Sequence, residues 1–153
     1  MYKIIERKAG DFIDLENYSK LMVEINPEEE KETYFEIVKK FYLLLIGRMP
    51  SNEDECVEII NTYATEIAAI KEDYEFIYNP PQLPSTIEQQ LSTIGDEYRK
   101  EFAEMYGGYV ELIYLLTGGD WLRRKEVTHE MTTQEFLFYG NYLLHKKYVE
   151  NIK

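Results

Sequence analysis

The chain has 153 residues, a formal net charge of −12, 44% hydrophobic and 30% charged side chains, which is the composition of a globular domain and not of a disordered one. A chain of this length hides roughly 70% of its unfolded surface without staples. The acidity argues against a whole-surface affinity for nucleic acid or anionic membrane, since both are polyanions.

The first residues, Met1-Tyr2-Lys3-Ile4-Ile5-Glu6-Arg7, lack the apolar core of a signal peptide. Residues 2–6 suit a short strand or an extended arm. Asp11 reads as the cap of a first helix, its carboxylate facing free backbone amides. Phe12, Leu15, Tyr18 and Met22 follow at helical spacing, with Ile25 extending the stripe. Asn26-Pro27 ends it, because the residue before proline avoids the α region.

A second helix is predicted over about 29–46, with Tyr34, Ile37, Val38, Phe41, Leu44 and Leu45 on one face. Phe35, Tyr42, Leu43 and Ile46 widen that face, which predicts a central helix. Its run Phe41-Tyr42-Leu43-Leu44-Leu45-Ile46 is the longest apolar stretch, far short of the roughly 20 residues of a membrane span. A soluble, cytoplasmic protein is expected. Gly47 is suited to close the helix in a left-handed conformation. Ser51-Asn52-Glu53-Asp54 resembles a capping box and opens a third helix. Cys56, Ile59, Ile60, Tyr63, Ile67 and Ile70 form its stripe, and Ala64 and Ala68 leave room for a close neighbour.

Asn79-Pro80-Pro81-Gln82-Leu83-Pro84 is the strong breaker and predicts an extended crossing near 79–84. Two subdomains could meet there. A loop within one domain spanning 1–153 is expected instead, because residues 85–153 alone would make a thin core. Ser85-Thr86-Ile87-Glu88 is a second capping box. Ile87, Leu91, Ile94, Tyr98, Phe102, Met105, Tyr109, Leu112 and Leu116 then step by threes and fours, as one helix to Thr117 or as two broken at Gly95 or Gly107-Gly108. Gly118-Gly119 stops it. Thr132-Thr133-Gln134-Glu135 is a third capping box, opening a last helix to about 150 on Phe136, Tyr139, Leu143 and Lys147, with Leu144 and Tyr148. Gly140 costs about 1 kcal/mol there relative to alanine, which a close helix crossing would explain. The prediction is an all-α single domain of five or six helices.

Catalytic and metal signatures are weak. Cys56 is the sole cysteine, which excludes an intrachain disulfide and a cysteine metal cage. It lies on an apolar stripe, which favours packing over nucleophilic chemistry. His129 and His145 fall on different elements at no zinc-ligand spacing. Gly118-Gly119-Asp120 lacks the ending of a phosphate loop. Asp11, Asp14 and Glu16 crowd the start of the first helix, where carboxylates favour its dipole. No catalytic, cofactor or metal residue is assigned, and no cofactor is expected.

Charge and aromatics point to a protein partner instead. Residues 51–119 carry net −11, against −2 before and +1 after, either a solvated face or one that steers a basic partner. Arg123-Arg124-Lys125 beside Trp121 is the compact positive site. In so acidic a chain it suits protein contacts better than nucleic acid. Fourteen tyrosines suit surfaces that are half apolar and half wet. The candidate partner contacts are Trp121, Arg123, Arg124, Tyr139 and Tyr142.

Two stretches carry a resemblance. Gly10-Asp11-Phe12-Ile13-Asp14-Leu15-Glu16-Asn17-Tyr18 precedes the apolar helix that ends in Leu44-Leu45-Ile46-Gly47-Arg48-Met49-Pro50. Leu115-Leu116-Thr117-Gly118-Gly119-Asp120-Trp121 precedes Glu126-Val127 and Thr133-Gln134-Glu135-Phe136-Leu137-Phe138-Tyr139. Together they resemble tail assembly chaperones of tailed bacteriophages or prophages, over about a third of the chain. The resemblance implies a non-catalytic helical protein that binds the hydrophobic tape measure protein, and often itself, during virion assembly. A structural or adaptor part of the particle is the nearest alternative. A small helical enzyme with a carboxylate site is the third.

Overall fold

The computed structural model describes residues 2–80 and 96–151. Among them the elements are seven α-helices: α1 (Ala9–Glu24), α2 (Lys31–Ile46), α3 (Glu53–Asp73), α4 (Glu75–Tyr78), α5 (Asp96–Tyr106), α6 (Val110–Leu116) and α7 (Thr133–Asn151). Short 3-10 turns lie at Ile4–Glu6, Gly107–Tyr109 and Trp121–Arg123, and a π turn at Glu126–Glu130. The described residues form no strand; a single bridge joins Lys8 to Thr132. The all-α expectation stands.

The helix count exceeds the five or six expected, for two local reasons. Tyr74, at φ −130° and ψ 63°, separates α4 from α3. Gly107, at φ 59°, breaks the long stripe between α5 and α6. The crossing expected at 79–84 lies, from residue 81 on, outside the described residues. The capping box at 85–88 and the start of the stripe after it lie outside them too.

Helix ends follow local chemistry. Gly47 closes α2 at φ 75°, and its N–H donates to the Leu43 carbonyl. The Asn52 side chain accepts from the Glu55 amide, and the Ser51 N–H donates to the Glu55 carboxylate. The capping box of α3 is therefore Asn52 with Glu55, one residue later than Ser51 with Asp54. At α7 the Thr132 N–H donates to Glu135 Oε1 at 3.1 Å, and the Glu135 N–H donates back to Thr132 Oγ1 at 3.2 Å, a reciprocal box as expected.

Two N-terminal expectations change. Residues 2–6 form neither strand nor plain arm: Lys3 is left-handed at φ 50°, and Ile4–Glu6 make a 3-10 turn. Asp11 is not the cap, because α1 starts earlier, at Ala9. Long-range bonds set that start. The Ala9 N–H donates to the Met131 carbonyl at 2.9 Å, and the Thr133 N–H donates to the Arg7 carbonyl at 2.7 Å.

The central helix is α1, not α2. Ala9, Phe12, Ile13 and Leu15 are all fully buried, and α1 packs on α2 from one side and on α7 and the π turn from another. Helix α2 buries Phe41, Tyr42 and Leu45 but leaves Phe35 57% and Leu43 43% exposed, so its broad apolar surface is not enclosed. Phe12 meets Tyr109 edge-on at 5.3 Å, and Tyr109 meets Phe136 at 5.9 Å. On α7 the enclosed side chains are Thr133, Phe136 and Leu137, whereas Tyr139 is exposed.

Gly140 sits where α7 meets α6. A Cβ built there would lie 2.6 Å from a Leu112 methyl. Two terms compete in Gly140→Ala: alanine gains about 1 kcal/mol of helix propensity, while forced overpacking costs about 1–3 kcal/mol. Leu112 is 95% buried, and its Cγ as well as both methyls lie within 2.8 Å of that Cβ, so turning one methyl does not clear it. We expect net destabilisation of about 1–2 kcal/mol, measured by denaturant unfolding.

Candidate functional site

The C-terminal half of α1 leaves the core. Leu15 is buried, Tyr18 and Met22 are half-buried, and Val23 is 86% exposed. Alongside this half runs an open groove of about 490 Å³. Its walls are Met22 and Val23 of α1, Tyr34 and Phe41 of α2, and Ile60, Ala64, Ile67 and Ala68 of α3. Ala64 and Ala68 are one helical turn apart and exposed. No helix among the described residues packs into the space they leave.

One acidic group stands in this apolar setting. Glu16 lines the groove with its side chain 14% exposed. The Tyr63 hydroxyl donates to Glu16 Oε2 at 3.4 Å, and Lys71 Nζ lies 3.8 Å from Oε1. That second distance is too long for a hydrogen bond, and Oε1 has no hydrogen-bond partner among the described residues. Burial raises the Glu16 carboxyl above the ordinary carboxylate range; Lys71 and the Tyr63 hydroxyl pull it partly back.

A second groove, of about 610 Å³, opens on the other side of the same group. Glu16, Ser19 and Lys71 line both, and Tyr78, Tyr109, Leu112 and Leu144 complete the second. The Tyr78 and Tyr109 hydroxyls share a hydrogen bond of 2.7 Å. Burial pushes Tyr63, Tyr78 and Tyr109 far up, so all three are neutral at any physiological pH. The cluster thus sets the Glu16 carboxylate among three phenols, and Lys20 and Glu111 also line the second trough. Among the described residues no group of three His, Cys, Asp or Glu is placed to hold a metal ion.

The residues singled out from the sequence fall in two other places. At the α6–α7 corner, Trp121 is half-buried, stacked on Phe102 at 4.6 Å and tilted against Tyr114 at 5.5 Å. Arg124 turns inward, its guanidinium 5.0 Å from the Phe102 ring centre and donating to the Trp121 carbonyl at 3.0 Å. Arg123 faces solvent and pairs with Glu126 at 3.0 Å. The run Arg123-Arg124-Lys125 is therefore not one positive patch. Tyr139 and Tyr142 lie on α7, 47% and 56% exposed, beside Phe138 at 60%. None of these five lines either groove. His129 is exposed in the π turn, His145 stacks on Phe76 at 4.5 Å, and Cys56 is half-buried against the core.

Two outcomes are expected. A carboxyl whose folded-state pKa lies above its unfolded value binds its proton more tightly when folded. Its contribution is present below the unfolded value, about 4.5, and is lost as pH rises through the raised folded value. Glu16→Gln removes this loss, so it should raise the melting temperature at neutral pH, with the gain shrinking toward pH 4. Thermal melts of both proteins across pH 4–7 measure it. Trp121→Ala should cost about 2–4 kcal/mol by chemical denaturation, as for other packed aromatics; an unchanged midpoint would assign the ring to a partner surface.

Compared with protein families, with characterised proteins and with solved structures, the chain matches none.

Proposed function

We propose that this chain is a non-catalytic phage assembly protein, a tail assembly chaperone that holds a helical stretch of the tape measure protein in the α1–α2–α3 groove. The observation that carries the reading is the groove itself: an open, apolar trough with exposed Val23, Ile60, Ala64 and Ala68 along it. A helix laid into an apolar groove is a common mode of peptide recognition, anchored at i, i+3, i+4 and i+7. The sequence resemblance supplies the identity of the partner. The acidic α3 suits a complex that must stay soluble in the bacterial cytoplasm until tail subunits arrive. Self-association belongs to the same reading, with the exposed Phe138, Tyr139 and Tyr142 as its candidate surface.

A rival reading, a small enzyme, would rest on the buried Glu16 carboxyl. A hydrolytic or transferase activity lost in Glu16→Gln would favour it.

The test is co-expression with the tape measure protein of the encoding phage or prophage, followed by size-exclusion chromatography. The two should co-elute, and the chain should be missing from purified particles; its presence there would favour the adaptor role. Ala68→Arg fills the groove from an exposed position. It should leave the melting temperature within a degree or two and weaken the complex at least roughly tenfold, since its side chain takes the space the bound helix would occupy. A failure of the wild-type pair to co-elute overturns the reading.

A further inference from the structure

The groove has a polar feature that an apolar helix alone would not satisfy. Glu16 Oε1 is buried, accepts no hydrogen bond among the described residues, and faces only the half-exposed Lys71 ammonium at 3.8 Å. The same carboxylate lines both troughs, so a helix in either one passes it. Helix α3, one wall of the groove, carries seven acidic residues on its other faces against the single cation Lys71.

We propose that the bound helix carries one cationic side chain, an arginine or a lysine, set within its apolar face, and that Glu16 is the residue that selects it. This rests on the groove-binding reading and adds the chemistry of the partner to it. A guanidinium or ammonium there donates to Oε1 directly. Leucine at that place leaves Oε1 without a hydrogen bond inside an apolar contact, and glutamine offers only an uncharged donor, the arrangement by which a buried acceptor rejects the wrong ligand. Along α1 the groove residues run from Glu16 to Val23, about two helical turns. One cation opposite Glu16 with apolar residues three, four and seven places to one side fills that length. The acidic α3 wall adds attraction at long range and speeds the encounter. Lys71 is a competitor for the same carboxylate, and its half-exposed stem lets it move aside.

The probes are three synthetic helical peptides of about 18 residues built from leucine, alanine and glutamine. The first has an arginine at the centre of the apolar face, the second has glutamine there, and the third has its arginine on the polar face. The second and third separate a specific contact from attraction to a −12 protein. Binding to the whole chain is measured by calorimetry or anisotropy at two salt concentrations. The first peptide should bind roughly tenfold tighter than either control, and high salt should preserve most of that ratio because the contact is buried. Glu16→Gln should abolish the preference, and Lys71→Met should enlarge it. Equal affinities, a preference that survives Glu16→Gln, or a preference lost in Lys71→Met each overturn the proposal. Co-elution of the tape measure protein without any arginine preference leaves the groove reading standing and removes the Glu16 contact alone. Loss of both removes both.

Discussion

Arg7 and Glu66 hold the same short segment from opposite sides. The Glu66 carboxylate accepts the Tyr2 and Ile4 amides at 2.9 and 2.8 Å. The Arg7 guanidinium donates to the Tyr2, Leu44 and Leu45 carbonyls, at 3.1, 2.9 and 2.6 Å. Leu44 and Leu45 lie in the last turn of α2, where carbonyls have no partner within the helix. Lys3, between the held amides, takes a left-handed conformation that costs about 1–3 kcal/mol. Five hydrogen bonds to charged groups, each worth about 1.5–3 kcal/mol, outweigh it. With the segment fixed, Ile4 is fully buried, and the Arg7 carbonyl is aimed at the Thr133 amide and hydroxyl. Helices α2, α3 and α7 thus meet at one polar node, and α1 issues from it.

What was legible in the sequence was local. Gly47, the Gly118-Gly119 stop and the box Thr132 with Glu135 depend on residues within a few positions of each other, and these ends lie where spacing puts them. Gly140 also signalled its helix crossing. What was not legible depends on residues far apart. Asp11 looks like a cap until Met131 and Thr133 bind residues 7 and 9 and start the helix sooner. Ser51 and Asn52 are both good caps, and only the position of Glu55 decides between them. The apolar breadth of α2 suggests a surrounded helix, but breadth does not say whether neighbours exist, and Phe35 and Leu43 remain in solvent. Glu16 read as one more carboxylate near a helix start. Its character comes from Tyr63 and Lys71, which are 47 and 55 positions away. The tyrosines divide in a way their number cannot reveal: Tyr42, Tyr63, Tyr74 and Tyr106 are buried, and Tyr139 and Tyr142 are exposed.

Helix α1 divides along its length. Its first two turns bury Ala9, Phe12, Ile13 and Leu15, and its last two form the rim of the groove. On the proposed reading, stability and recognition are therefore carried by different ends of one helix. Substitutions at Val23, Ile60, Ala64 or Ala68 touch little of the core, so the groove is free to vary without unfolding the chain. Glu16 sits at the junction of the two halves. Burial raises its carboxyl, so its ionised form works against the fold that holds it, a pattern common at sites that trade stability for function.

The polar node also sets an order of events during synthesis. The Arg7 carbonyl is satisfied by Thr133, 126 residues later in the chain. At about 5–20 residues per second, the N-terminal segment waits roughly 6–25 seconds on the ribosome before its partner is made. Until then Ile4, Phe12 and Ile13 have no complete core to enter, although Arg7 can already bind α2, and Glu66 of α3 can already bind the Tyr2 and Ile4 amides. Residues made 126 positions before Thr133 are thus among the last to be enclosed. A nascent chain cut short before α7 would expose the apolar face of α1, which is a ready target for holding chaperones and proteases.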